Sequence, residues 1–132
     1  MTAEEVRVLA ANDAFYEAFA TRDFGRMDDV WAAEHDVTCI HPGWSMLVGR
    51  DAVMSSWRAI LRSDNPRIEP TAARAFLHGD AAYVLCFEGA RGENPVLCAT
   101  NVFVREQGAW KMVHHQAGHL AQTPAPTTTP AN

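Results

Sequence analysis

The sequence predicts an α+β domain, with three N-terminal helices on one face of a curved, mostly antiparallel sheet. Three observations predict it. Apolar residues recur at helical spacing as far as Arg62. The second half switches to alternating segments at about 67–78, 81–90, 96–106 and 109–119. Short runs of turn chemistry separate these segments: His78-Gly79-Asp80, Arg91-Gly92-Glu93-Asn94-Pro95 and Gln107-Gly108. Links that short require antiparallel neighbours.

Each element has its own local signal. Thr2 followed by Glu5 is a capping box, which starts the first helix at about Ala3. Val8, Ala11, Phe15, Ala18 and Phe19 form its apolar stripe. Asp23 can cap a second, short helix that carries Met27, Val30 and Trp31 on one side. Val37 to Ile40 is short, β-branched and bounded by His41-Pro42-Gly43, so it reads as a strand. Gly49-Arg50-Asp51 opens a third helix with Val53, Trp57, Ile60 and Leu61 inward, and Ser63-Asp64-Asn65-Pro66 stops it. From Ala121 the sequence AQTPAPTTTPAN has neither charge nor a large apolar side chain. We therefore divide the chain into a domain over 1–120 and a flexible Pro/Thr/Ala tail over 121–132.

Composition narrows the function classes. The chain has 132 residues, one domain's worth, with 48% hydrophobic and 20% charged residues. A net charge of −5 argues against a nucleic-acid partner. No window reaches the roughly 20 apolar residues of a membrane span. The start, MTAEEVRVLA, has acids where a signal peptide carries bases. Cys39, Cys86 and Cys98 are odd in number and lack metal-ligand spacing, so we expect three reduced, buried thiols in a cytoplasmic protein.

Strict alternation sorts the strands into faces. Ala99, Asn101 and Phe103 share one; Tyr83, Leu85 and Phe87 alternate with Val84, Cys86 and Glu88. In the last strand Trp110, Met112, His114 and Gln116 alternate with Lys111, Val113, His115, Ala117 and His119. Both faces are partly apolar, which predicts helices on the concave side and a second copy of the chain, as a homodimer, on the convex side.

The candidate chemistry begins at CIHPGW, where His41 ends a strand three residues before Trp44. His41 either bonds a nearby backbone carbonyl or faces a pocket, where an imidazole of pKa about 6.5 can act as a base or donor. Asn101, mid-strand, pairs with His41 or His115 or meets a ligand, since an unpaired buried amide costs about 1–3 kcal/mol. His115 and His119 share a face but stand roughly 13 Å apart in an extended strand. Metal binding would also need Asp or Glu partners that the inner faces do not offer, so no metal and no cofactor is expected. GRD and GARGEN lack phosphate-loop spacing, and Ser45, Ser55 and Ser56 belong to no nucleophile motif. Arg50, Arg58, Arg62, Arg74 and Arg105 read as solvated charges, Arg50 being within reach of an anion at a pocket rim.

The order of two helices, a strand ending in HPGW, GR opening a helix, and four strands closing on GAWKMVHHQAGH resembles the nuclear transport factor two-like superfamily. Its SnoaL-like and ketosteroid-isomerase-like members are the nearest match, over roughly residues 3 to 120. The resemblance implies a cone-shaped α+β barrel in which the bent sheet encloses an apolar pocket, commonly in a dimer. The isomerases' catalytic aspartate, placed before a proline at the end of the first strand, falls here on His41. Their oxyanion tyrosine falls on Phe15, beside Tyr16, and their protonated aspartic acid on Asn101. With the tyrosine donor lost, steroid isomerisation is not expected, because that chemistry needs both donors. The resemblance implies acid–base chemistry by His41, Asn101 and His115 on a small apolar ligand. Phe15, Trp44, Trp57, Leu85, Phe87 and Phe103 would form the walls. The other reading is a non-catalytic interaction module with a filled interior.

Overall fold

The computed structural model describes residues 1–122 and 124. Of the proposed tail over 121–132, residues 123 and 125–132 fall outside the described residues. In chain order the elements are α1 (Ala3–Thr21), α2 (Phe24–Val30), β1 (Thr38–Ile40), β2 (Leu47–Val48), α3 (Arg50–Arg62), β3 (Ile68–His78), β4 (Ala81–Ala90), β5 (Leu97–Glu106) and β6 (Ala109–His119). The strands form one sheet in the order β2-β1-β6-β5-β4-β3. All pairs are antiparallel except β1 with β6. The four long strands match the alternating segments to within a residue, and β2 is an addition too short to show in the sequence.

The caps operate as their chemistry requires. Thr2 Oγ1 accepts from the Glu5 amide at 3.1 Å while the Thr2 amide donates back to Glu5 at 2.7 Å. Asp23 accepts from the Arg26 amide at 3.0 Å and starts α2. α1 packs along β3, β4 and β6, and its inner stripe of Val8, Asn12, Phe15 and Tyr16 is buried. α3 turns Val53, Met54, Ser56, Trp57 and Leu61 inward. Trp31, Trp57, Phe15 and Phe103 are each at most 1% exposed, and burying such side chains is the main stabilising term, at about 1.5–3 kcal/mol each. Arg50 is not a free charge at a rim: it donates to the Asp28 carboxylate and to the Asp28 and Ala32 carbonyls at 2.7–2.8 Å, locking α3 to the end of α2.

Two bulges curve the sheet and reset which side chains face inward. On β3 the register slips between Thr71 and Arg74, where Ala72 adopts a φ of 55°. On β6, Val102 pairs with His114 but Phe103 pairs with Met112, leaving Val113 as the extra residue. Strict alternation along β6 therefore fails: Trp110 and Met112 share the buried face with His115 and Ala117, while His114 lies on the other face and bonds Thr38 Oγ1 at 2.6 Å. The inner side of β4 is Ala82, Val84, Cys86 and Glu88. Leu85, at 40% exposure, and Phe87 lie on the convex face, so neither lines the interior as the sequence suggested. Cys39 and Cys86 are buried thiols, whereas Cys98 is exposed, because it too sits on the convex phase of its strand.

Candidate functional site

A cavity of about 330 Å³ opens at the end of the cone where β1 gives way to the turn at Pro42. Phe19, Trp44, Trp57, Ile60, Ile68 and Leu97 give it apolar walls, and His41, Glu88 and His115 are its ionisable groups. Three separate elements deliver them: the exit of β1, the end of β4 and the stretch of β6 beyond the bulge. A more open groove of about 440 Å³ runs between α1 and β3, with Asp13, Glu17, Glu69 and Arg91 along it. Its Glu69–Arg91 pair is a largely exposed ion pair of the kind that contributes little. We place the site in the smaller cavity because its ionisable groups are buried, where charge is costly and chemistry can be tuned.

His41 is 3% exposed and hydrogen-bonded. Its Nε2 lies 2.8 Å from Ser56 Oγ, which is also 2.7 Å from the Val53 carbonyl. With the Ser56 proton on Val53, Nε2 carries the hydrogen and donates to Ser56; with the proton turned to the ring, Nε2 accepts it. The Cys39 thiol lies alongside the ring, 3.6 Å from Nε2 and 3.9 Å from Nδ1. Burial pushes the His41 pKa down to about 4, so the ring is neutral at pH 7.

His115 is held by Asn101. Its Nδ1 donates to Asn101 Oδ1 across 2.5 Å, while Asn101 Nδ2 donates to Asn12 Oδ1 at 2.9 Å and to Tyr16 Oη at 3.1 Å. Tyr16 Oη in turn donates to Glu88 Oε2 across 2.5 Å. The result is a directional chain from His115 through Asn101 and Tyr16 to the Glu88 carboxyl. Burial, joined by the neighbouring His41 and His114 charges, lowers the His115 pKa to about 3. Burial raises that of Glu88 to about 7, against the Tyr16 hydrogen bond, which pulls it down. The two buried thiols go the same way as Glu88, Cys39 to about 12 and Cys86 to about 11, chiefly through burial, and are unreactive.

The sequence-chosen residues divide accordingly. His41, His115, Trp44 and Trp57 meet at the cavity. Asn101 is fully buried and bonded beneath His115, and does not reach the cavity wall. Phe15 and Phe103 are fully buried core: Phe15 fills the cone between Tyr16, Trp57 and His115, with ring centroids 4.8, 5.3 and 4.9 Å away. Sequence reasoning missed Glu88, Tyr16, Asn12 and Ser56. The inner faces do offer a carboxylate, Glu88, although no three His, Cys, Asp or Glu side chains among the described residues gather as metal ligands. The signal for Glu88 was present: one acid in an otherwise apolar strand.

A family model described as the SnoaL-like domain matches residues 8–121. The chain belongs to that family. Among solved structures, this SnoaL-like domain resembles a proposed dehydratase of the NTF2-like family from Streptomyces avermitilis. That likeness has 31% identity and a TM-score of 0.81 over 90% of this chain and 97% of the other. It also resembles a proposed calcium/calmodulin-dependent protein kinase type II association domain from Thiobacillus denitrificans, with 37% identity and a TM-score of 0.70 over 84% and 93% of the two chains. The F-box protein SKIP8 of Arabidopsis thaliana is 24% identical over 111 residues, 83% of this chain, which spans about half (48%) of that relative's length. No helix among the described residues is long and apolar enough to cross a membrane.

Proposed function

We propose that this SnoaL-like domain binds a small, mostly apolar, carbonyl-bearing molecule in the cone and moves a proton on it, in isomerase-, cyclase- or lyase-type chemistry. The observation that carries the reading is the convergence of two neutral imidazoles and one buried carboxyl on an aromatic-walled cavity of about 330 Å³. That volume lies within the ordinary range of small-molecule sites. The 31% identity to a protein named for dehydratase activity supports lyase chemistry. His41 is the base suggested by the sequence, and Glu88 is a second candidate for that role on the same cavity. Thermal-shift screening of aromatic and carbonyl compounds against the wild type and His41→Ala tests the reading. Compounds that stabilise the wild type and lose affinity for the variant are expected; a screen in which no compound shifts either protein would overturn it.

The second reading, a dimeric assembly module, rests on the 37% identity to an association domain and on the apolar convex face. Leu85 stands 40% exposed there, and Tyr83 stacks on Phe76 with ring centroids 5.0 Å apart. We propose that two copies pair through this face. Light scattering should give twice the chain mass for the wild type and a single chain for Leu85→Glu, whereas a monomeric wild type would exclude the pairing. Three free thiols suit a reducing compartment, so we propose that the protein works in the cytoplasm.

A further inference from the structure

We infer that Glu88 on β4, rather than His41 at the end of β1, is the group that takes the proton from a ligand in this cavity. The inference rests on the small-molecule reading above and names the reacting residue within it. Two pieces of geometry carry it. On His41, Nε2 is engaged by Ser56 Oγ at 2.8 Å, and the Cys39 thiol packs against the ring, 3.6 Å from Nε2 and 3.9 Å from Nδ1, so the imidazole is held in contacts of its own. On Glu88, Oε2 is held by Tyr16 while Oε1 has no hydrogen-bond partner among the described residues, on a side chain only 3% exposed in the cavity wall. One oxygen is anchored and the other is left for a ligand. A carboxyl poised near pH 7 is also matched to proton transfer at neutrality, whereas an imidazole held near 4 is a weak acceptor.

The cavity's charge fixes the class of ligand. No lysine or arginine lines it among the described residues, and Glu88 is its one acidic group. An anionic ligand would meet a buried carboxylate with no cation to offset it. The ligand is therefore not an anion, and it is flat enough to lie against Trp44, Trp57 and Phe19, with an acidified C–H or O–H directed at Oε1. The groups that face Glu88 are Tyr16 from α1, Cys39 and His41 from β1 and its exit, Cys86 on its own strand, and His115 from β6, whose Nε2 is 3.9 Å from Oε2. With both imidazoles neutral and both thiols protonated at pH 7, Glu88 alone in this set changes charge near neutrality.

The neutral aromatic probe 5-nitrobenzisoxazole tests this without knowledge of the natural ligand. Ionised Glu88 takes the C3 proton, the C–H electron pair forms the nitrile, and the ring N–O bond breaks to release a coloured 2-cyano-4-nitrophenolate. Glu88 then returns the proton to water. The wild-type chain should turn the probe over at about 100-fold or more above free acetate at equal concentration, a general-base effect of ordinary size. The rate should rise with pH about a midpoint near 7. Glu88→Gln should lose at least about 90% of that rate. His41→Asn should keep the midpoint, and Tyr16→Phe should move it upward because the Tyr16 hydrogen bond holds the carboxyl's pKa down. The Tyr16→Phe shift remains a test if Glu88→Gln folds poorly. A wild-type rate in a folded Glu88→Gln, or a pH step that disappears in His41→Asn, overturns the assignment. Binding of 3-methyl-5-nitrobenzisoxazole, a neutral analogue that lacks the reactive C3 proton, is followed by quenching of Trp44 and Trp57. Binding without turnover of the probe overturns the role of Glu88 and leaves the pocket reading standing; absence of binding removes both.

Discussion

Tyr16 Oη donates to Glu88 Oε2 across 2.5 Å, tying the C-terminal half of α1 to the end of β4 inside the cone. The same phenol accepts from Asn101 at 3.1 Å, so the carboxyl, the phenol and the amide that holds His115 form one network. Networks of this kind are worth more than their separate bonds.

Loss of this contact should register in stability. Tyr16→Phe removes a hydrogen bond to a carboxylate and leaves Asn101 one acceptor short. Urea denaturation at pH 8, where Glu88 is ionised, should show a loss of about 1.5–3 kcal/mol. A smaller loss is expected at pH 5, where the carboxyl is protonated and the bond is between neutral groups.

Glu88 also gives stability a dependence on pH. Its folded pKa, about 7, lies above the ordinary 4.5, so the folded chain holds a proton that the unfolded chain has released between those values. Stability from this group is full below about 4.5 and falls as pH rises toward 7, by up to roughly 3 kcal/mol. His41 and His115 act in the opposite sense: their folded values of about 4 and 3 lie below 6.5, so stability is lost as pH falls from 6.5. Glu88→Gln removes only the first effect. Its stability, measured by denaturation at each pH, should therefore drop more steeply between pH 8 and pH 5 than that of the wild type.

Asn101→Leu keeps the branched heavy-atom shape and removes the bonding. It strips the partners from His115 Nδ1 and Asn12 Oδ1, both buried, and should cost about 2–5 kcal/mol in chemical denaturation. A near-neutral result would mean that these groups find other partners.

The two tryptophans of the cavity wall should behave differently. Trp57 is fully buried and packs edge-on against Phe15 and Phe19, so Trp57→Ala should cost about 3–5 kcal/mol. Trp44 is 46% exposed at the mouth, edge-on to His41 at 4.8 Å, and Trp44→Ala should cost under about 1 kcal/mol. Its effect should appear instead as weaker stabilisation by aromatic ligands in thermal-shift assays.

Gly89, beside Glu88, allows the turn before β5 to lie against β4. A Cβ there would come within 2.7 Å of Pro95 Cα, which is backbone and cannot swing aside. Gly89→Ala should lower stability by about 1–3 kcal/mol and displace Glu88, measured as a lowered melting temperature and a changed pH–stability profile.

The helices and long strands were legible because their signals are local: a capping box at Thr2, an apolar stripe through Phe15, turn glycines between segments. The site was legible only where chemistry coincided with an element boundary, as at His41 and Trp44. Glu88 was hidden by strand phase. With Leu85 and Phe87 on one side of β4 and Val84 and Cys86 on the other, both faces are apolar, and hydrophobicity cannot say which turns inward. Phe15 and Phe103 were placed in the wall because an aromatic ring lines a cavity or fills it equally well, and only packing decides. Asn101 was correctly expected to need a partner, but Asn12 and Tyr16 come from a helix more than eighty residues away, and only the folded chain brings them to it.

The extra residue at Val113 matters to anyone engineering this strand. A mutagenesis library that randomises every second position from Trp110 onward would diversify the packed interior at its start and the outer surface beyond the slip, sparing His115 altogether. Primer schemes should treat 109–112 and 114–119 as two reading frames rather than one.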